Sequence, residues 1–436
     1  MKVRTANKQG SEARTADNGG ARDGPRRWLR SVGPGLVTAC VVIGPGSILT
    51  SSKVGAGDGY ANSWVVVVSV VLMLVYITLG AKLGVVAQES LGELTSRRAG
   101  RWLAVLVGLG VFFISAAFQF GNNLGVHSAL AAYFDWPYWI VVFNAVAVAF
   151  VFGFRNLYRP VERLMSLFVA LMLISFAVNL WFAQPNIGEF MAGLVPLGGK
   201  TAWELPLLGL VGTTFAITAA YYQAYLVRFK GWTTRDFGSM MIDARVGATI
   251  MALITLMIMA TAAAVLRGRE LASVSDVANA LEPLFGERGR AIFCLGLFAA
   301  AFSSFIVNSM IGGFVLADSL KLGSMPSDRW PRLLTAAVLL IGMGVALYVI
   351  KSGVQPVAAI VAAQAVTVVA APLMAAVLLW LTNLPEVMGE HRNGTLMNLL
   401  GGAGLLLLLA MAWYTASQKV WPAIHAAVSG TTAMLL

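Results

Sequence analysis

Charge is what this sequence has least of: Asp, Glu, Lys and Arg make up 12% of its 436 residues. A soluble domain carries about 25%, so an ordinary water-surrounded fold is excluded. Histidine and cysteine are nearly absent, at three and two residues. His127, His391 and His425 lie far apart and share no motif with a nucleophile, so no enzyme active site is expected. Cys40 and Cys294 both fall inside apolar stretches. That excludes a disulfide framework or a CxxC metal site and leaves two buried structural thiols. No Gly-rich phosphate cradle occurs, which argues against ATP-driven work. No haem or iron–sulfur ligand set is present, so no cofactor is expected. The net charge is +11, yet no basic face is interleaved with exposed aromatics, and a nucleic-acid partner is excluded.

What the chain has instead is apolar length. It is 58% hydrophobic, with a mean hydropathy of +0.77. Eleven apolar segments are long enough to cross a bilayer: about 33–52, 63–87, 102–122, 137–154, 161–182, 205–227, 240–266, 291–316, 332–350, 354–381 and 396–415. Residues 1–30 form a polar, basic tail expected to be disordered, residues 31–416 the membrane domain, and 417–436 a C-terminal tail. The first apolar segment is too long and too broken by Gly and Pro for a signal peptide. With the N-terminus inside, 21 of the 31 Lys and Arg residues fall on the cytoplasmic side and eight outside. The positive-inside rule thus predicts a multi-pass protein of the cell inner membrane with a cytoplasmic N-terminus and an external C-terminus. The positive charge is an orientation signal, with the lipid bilayer as partner, and a monomer is expected.

The first segment carries Gly44-Pro45-Gly46-Ser47 in its middle. Proline cannot continue the helical ladder and the glycines loosen it. Such an interruption reads either as a simple kink or as a binding site, because freed backbone groups in a bilayer must face protein or a wet cavity. The sixth segment has a polar middle, Gly212 to Gln223, that includes Thr218, Ala220, Tyr221, Tyr222 and Gln223 but no proline, and is expected to unwind between about Thr214 and Tyr222. Segments 1 and 6 each open a block of five, the pattern of an inverted repeat with segment 11 peripheral. Further polar residues sit within spans: Gln119, Asn122 and Asn123 in segment 3; Asp243 and Arg245 in segment 7; Ser303, Ser304 and Asn308 in segment 8; Gln364 and Thr367 in segment 10. Each lone hydroxyl is accounted for by ordinary interhelical hydrogen bonding. The long amides of Gln223 and Gln364 need several partners and point to a site.

Gly33-Pro34-Gly35-Leu36 through Gly44-Pro45-Gly46-Ser47 is similar to the GPG…DPGN pattern of the Nramp family of divalent-metal transporters. Leu83 to Leu94 resembles its LGVVTGxxLAEL stretch, Ala300-Ala301-Phe302-Ser303-Ser304 its AAGQSS, and Gln364 with Pro372 its SQ…LP. The resemblance covers about residues 27–415. It implies an all-α membrane protein with a LeuT-like fold: eleven transmembrane helices, a 5+5 inverted repeat, broken helices 1 and 6, and transport by alternating access.

The departures shape the functional expectation. The Asp and Asn of DPGN are metal ligands in the family; Gly44 and Ser47 stand there. By the Tyr225-Leu226 that follows, the family's Met-Pro-His aligns with Ala220-Tyr221-Tyr222, so the thioether that favours soft metals is missing. Its absence resembles the Nramp-related magnesium transporters, although those keep acidic character in segment 1. The helix-3 carboxylates used in proton movement align with Gln119 and Asn122, and the later segment-6 His with Val227. Amides do not titrate near neutral pH. No confident metal ligand set is therefore named. The expected substrate is a hydrated Mg²⁺- or Mn²⁺-like cation, bound weakly among Gly44, Pro45, Gly46, Ser47, Thr218, Ala220, Tyr221, Tyr222, Gln223 and Gln364, without the usual proton coupling. The alternatives are a small anion or organic solute such as a carboxylate at the same helix breaks, and a non-transporting receptor on the same scaffold.

Overall fold

The computed structural model describes residues 33–420 except Gln88, Ala132, Asp135, Pro137, Arg155, Asn156, 197–203, 272–273 and 353–355. Side chains at 205, 274–275, 280, 283–285, 356–366, 368–369 and 419–420 also lie outside the description. The two tails, residues 1–30 and nearly all of 417–436, therefore fall beyond it, as does the side chain of Gln364.

The described secondary structure is helical: α1 (Pro34–Val42), α2 (Pro45–Asp58), α3 (Ser63–Val86), α4 (Leu91–Ala99), α5 (Arg101–Ala131), α6 (Trp139–Gly153), α7 (Tyr158–Ala183), α8 (Ile187–Gly193), α9 (Leu205–Thr214), α10 (Ile217–Lys230), α11 (Phe237–Val265), α12 (Val274–Ser319), α13 (Arg329–Ser352), α14 (Pro356–Leu381), α15 (Pro385–Met388) and α16 (Thr395–Thr415). Each of the eleven apolar segments carries one helix or one helix pair. Among the described residues, seven helices are long and apolar enough to cross a membrane singly. Two further pairs are sharply bent, α1 with α2 by 58° and Ala370–Leu381 with Pro385–His391 by 65°. Even the β-branched run Val65 to Val68 is helical. In lipid a strand would strand its polar backbone, whereas a helix satisfies it internally.

Close packing rests on small residues. Gly80 and Gly84 of α3 face Ala220 and Ala224 of α10, and a Cβ on either glycine would strike those alanines' carbonyl oxygens. Gly35 of α1 and Gly247 of α11 meet backbone to backbone in the same way. Such small-xxx-small faces let helices approach without a hydrophobic driving force. In the broken segments, α1 packs on α10 and α2 on α9. First half against second half is the contact pattern of two antiparallel broken helices lying side by side, and it fits an inverted repeat.

Intramembrane carboxylates serve helix ends. Asp243 accepts hydrogen bonds from the backbone N–H groups of Gly33 and Gly35, both at 2.7 Å. It thereby caps α1 from another helix, where the macrodipole favours negative charge. An ion pair to a neighbouring helix is the sequence expectation for Asp243 or Arg245. The structure shows backbone capping for Asp243 and an exposed Arg245. Asp318 likewise accepts from Gly92 N–H at 2.8 Å, from Ser90 and from the Tyr225 hydroxyl, fixing the start of α4. Cys40 and Cys294 are buried free thiols, as expected.

Candidate functional site

The break in the first segment falls at Ile43–Gly44. The Ile43 N–H still reaches Ala39 O at 3.0 Å, and the Gly44 N–H turns back to Val42 O at 3.2 Å. Gly44 is extended, with φ −119° and ψ 179°, and Pro45 opens α2. Proline is at home there: its fixed φ suits the first helical position, where an N–H would be unpaired anyway. The expected non-helical stretch, Gly44–Ser47, is thus shorter and begins one residue earlier. Gly46 and Ser47 lie in the first turn of α2.

The sixth segment breaks over Phe215–Ala216, where Ala216 adopts φ −78° and ψ 88°. The expected unwound stretch, Thr214 to Tyr222, contracts to these two residues, and Thr218, Ala220, Tyr221, Tyr222 and Gln223 are all helical. A proline of the family's Met-Pro-His belongs at the first helical position after the break, which is Ile217. Met-Pro-His then falls on Ala216-Ile217-Thr218, four residues before the alignment anchored on Tyr225-Leu226. The later His shifts equally, from Val227 to Gln223.

Four helix ends belong to these two breaks. The carbonyl ends of α1 and α9 carry partial negative charge, and the amide ends of α2 and α10 partial positive charge. Side chains from other helices close in. Around Gly44 stand Ser304 of α12 and Asn122 of α5: a Cβ there would lie 3.0 Å from Ser304 Oγ and 3.1 Å from Asn122 Oδ1. The Ser304 hydroxyl donates to Val41 O at 3.3 Å. Pro45 packs on Gly125. A cavity of about 10 Å³, room for one water, follows the second break. Phe215, Ala216 and Thr218 line it, with Phe118 of α5 and Thr367 of α14 opposite.

Among the described residues, the buried hydroxyls of Ser47 and Thr214 have no hydrogen-bond partner, nor do Gln119 Nε2, Gln223 Nε2 or either amide atom of Asn308. Orphaned groups of this kind are rare in folded proteins and ask for a ligand or water. The Gln223 amide oxygen accepts from Thr38 of α1. Asn122 reaches Gln119 Oε1 at a long 3.5 Å. Among the described residues, no group of three or more His, Cys, Asp or Glu could hold a metal ion.

The structure therefore brings Gly44, Pro45, Gly46, Ser47 and Asn122 to the first break, and Thr218 to the second. Gln223 lies two turns below Ala216, against α1. Ala220 faces α3, and Tyr222 stacks on Tyr225 at 5.8 Å beside Phe229 and Phe314. These last two are packing residues a turn or more past the break. Sequence reasoning missed Thr38, and took Thr214 and Ala216 only as part of the expected unwound stretch, not as site residues. Thr38 and Thr214 were visible as hydroxyls within a turn of an interruption; Ala216 gave no signal.

A family model described as natural resistance-associated macrophage protein-like, Nramp, matches residues 35–418. A divalent metal cation transporter MntH of Verminephrobacter eiseniae is 29% identical over 388 residues, covering 86% of each chain. The MntH of Deinococcus radiodurans is 25% identical over 403 residues, covering 90% of each. Among solved structures, a manganese transporter mutant of Eremococcus coleocola superposes with a TM-score of 0.74 at 19% identity, over 92% of this chain and 89% of that one. MhsT in complex with L-phenylalanine gives 0.56 at 14% identity, over 87% and 98%. The last two likenesses are of fold.

Proposed function

Because the chain belongs to the Nramp family of membrane transporters, we propose that it carries a divalent metal cation across the membrane by alternating access, holding it between the two helix breaks. One observation carries the reading: the carbonyl ends of α1 and α9 belong to breaks flanked by buried, unpartnered hydroxyls of Ser47 and Thr214. These are neutral oxygens, the donor class that hard cations accept. The ion keeps part of its water shell, since no carboxylate offsets full dehydration. Mg²⁺ or Mn²⁺ is the cation type, and affinity is weaker than micromolar. That relatives at 25–29% identity are divalent metal cation transporters supports this class. We further propose eleven crossings, a cytoplasmic N-terminus, a monomer and an inner-membrane location, from the segment count and the Lys/Arg asymmetry.

Proton movement through helix 3 is not part of the proposal. Gln119, Asn122 and Gln223 stand at the three positions where titratable groups are expected, and all three are amides. The amide ends of α2 and α10 support a second reading, a small carboxylate-bearing solute, because helix N-termini bind anions. Proteoliposome uptake separates the two. The expected result is saturable Mg²⁺ or Mn²⁺ uptake, with an entrapped pH dye showing no lumenal acidification. Uptake of small carboxylates with no cation flux would replace the first reading by the second. Substrate-driven acidification abolished by Gln119→Ala would overturn the account of helix 3.

A further inference from the structure

α1 is a nine-residue half-helix hinged at Ile43–Gly44 and held at its far end by one side chain. Asp243 grips that end through two 2.7 Å bonds to Gly33 and Gly35. Two more charges stand at the same spot. Lys230 of α10 pairs with Glu162 of α7 at 3.2 Å, and a Cβ on Gly33 would collide with both. Four helices, α1, α7, α10 and α11, therefore converge on the start of α1. Among the described residues, only Asp243 bonds the α1 backbone there. α1 can leave the bundle only by breaking those two bonds.

We propose that Asp243 is a proton-binding site whose occupancy releases α1 and opens the pathway toward the side on which α1 begins, the cytoplasm. The inference rests on the alternating-access reading above. With the carboxylate ionised, each oxygen accepts one backbone N–H, and both bonds are charge-assisted. A proton taken from cytoplasmic water adds to one oxygen and turns it into a hydroxyl. The N–H it served loses its anionic acceptor, and the carboxylate's attraction to the α1 macrodipole is gone. The proton returns to the same water on closing, so no proton crosses the membrane and no acidification of the far side results.

Several charged and titratable groups lie, among the described residues, on elements packed against Asp243. They are Tyr158, Arg159, Glu162 and Arg163 on α7, Tyr221, Tyr222, Tyr225, Arg228 and Lys230 on α10, Tyr76 and Lys82 on α3, and Lys53 and Asp58 on α2. α1 offers only Cys40, and Asp243's own helix and the turn before it add Arg235, Asp236 and Arg245. Lys82 is engaged by Asn393 at 3.3 Å. Asp58 is engaged by Asn62 at 2.8 Å, and Tyr76 donates to Gly401 O. The charges that share the start of α1 with Asp243 are Lys230 and Glu162; a neighbouring cation favours a carboxylate's ionised form and a neighbouring anion opposes it. Removing Lys230 must therefore make the latch open at higher pH.

The test is a distance measurement without substrate. Nitroxide labels go on Leu36→Cys of α1 and Gly238→Cys of α11, with the buried Cys40 and Cys294 replaced by alanine, and pulsed EPR is read at pH 8 and pH 5.5. Gly238 has open space around it. The expected result is a second, longer population at pH 5.5, displaced by about one helical turn, roughly 5 Å. In Asp243→Asn that population should be present equally at both pH values. In Lys230→Gln, which leaves Asp243 in place, the midpoint should rise by at least half a pH unit. A single distance independent of pH, an Asp243→Asn protein that keeps the wild-type pH response, or an unmoved midpoint in Lys230→Gln would each overturn the proposal. A response removed by Glu162→Gln and kept by Asp243→Asn would do so as well and assign the proton to Glu162. Because no substrate is present, the outcome is independent of whether the transported species is a cation or a carboxylate.

Discussion

Leucine in place of Gly84 is expected to leave no folded transporter. A Cβ there would meet the Ala224 carbonyl oxygen, the Val227 side chain at 2.6 Å and the Ala224 Cα at 2.7 Å. Two of these three are backbone, so no rotamer change relieves them, and α3 and α10 must separate along their length. Overpacking a core costs about 1–3 kcal/mol when side chains can adjust. With backbone in the way the loss should exceed about 3 kcal/mol, a large share of a domain's net stability. The measurement is gel filtration of detergent-solubilised protein, with the thermal midpoint of whatever survives. Gly110→Leu is the control: it lies on α5 with nothing within 4 Å of its Cβ position, and it should match the parent. A monodisperse Gly84→Leu protein of parental stability would show that α3 and α10 are not in backbone contact.

The same α3–α10 face explains what was legible in the sequence and what was not. The apolar segments were legible because a bilayer demands about 20 residues of each. The first break was legible because Pro45 has a chemical reason to be there. The second was located only to within a segment. Phe215 and Ala216 are ordinary helix-compatible residues, and no proline marks the restart at Ile217. A slip of four residues is close to one helical turn, so it keeps the same side chains facing Gly80 and Gly84. The apolar pattern cannot register such a slip, and the motif alignment settled four residues late. The capping role of Asp243 was not legible for another reason: its partners are backbone N–H groups, which have no residue type. Asn308 and Thr214 could be seen as polar, but not that they lack partners, because that depends on which faces meet.

The register has a consequence large enough to measure, the gain of a transition-metal site. In the triple variant Gly44→Asp, Ser47→Asn, Ala216→Met, the residues at the two breaks become a carboxylate, an amide oxygen and a thioether. Space at Gly44 permits this: the nearest atoms to a new Cβ are the Ser304 hydroxyl and the Asn122 amide oxygen, at 3.0 and 3.1 Å. Both are side-chain tips that can shift by a few tenths of an ångström. Alone, the new carboxylate should lower the thermal midpoint, since a buried unpaired charge is costly. Added Mn²⁺ should restore the midpoint, because binding to the folded state stabilises it. Calorimetry should then show Mn²⁺ binding at least a hundredfold tighter than in the parent, about 2.8 kcal/mol at roughly 1.4 kcal/mol per decade. Mg²⁺ should gain less, because a thioether favours softer ions. The decisive comparison moves one residue. With Gly44→Asp and Ser47→Asn fixed, Ala216→Met should add affinity and Ala220→Met should add none, because Ala220 lies a full turn past the break and faces α3. Affinity gained through Ala220 and not Ala216 would restore the four-residue alignment that the break rejects. A triple variant no tighter than the parent would mean that the two breaks are not where the substrate binds.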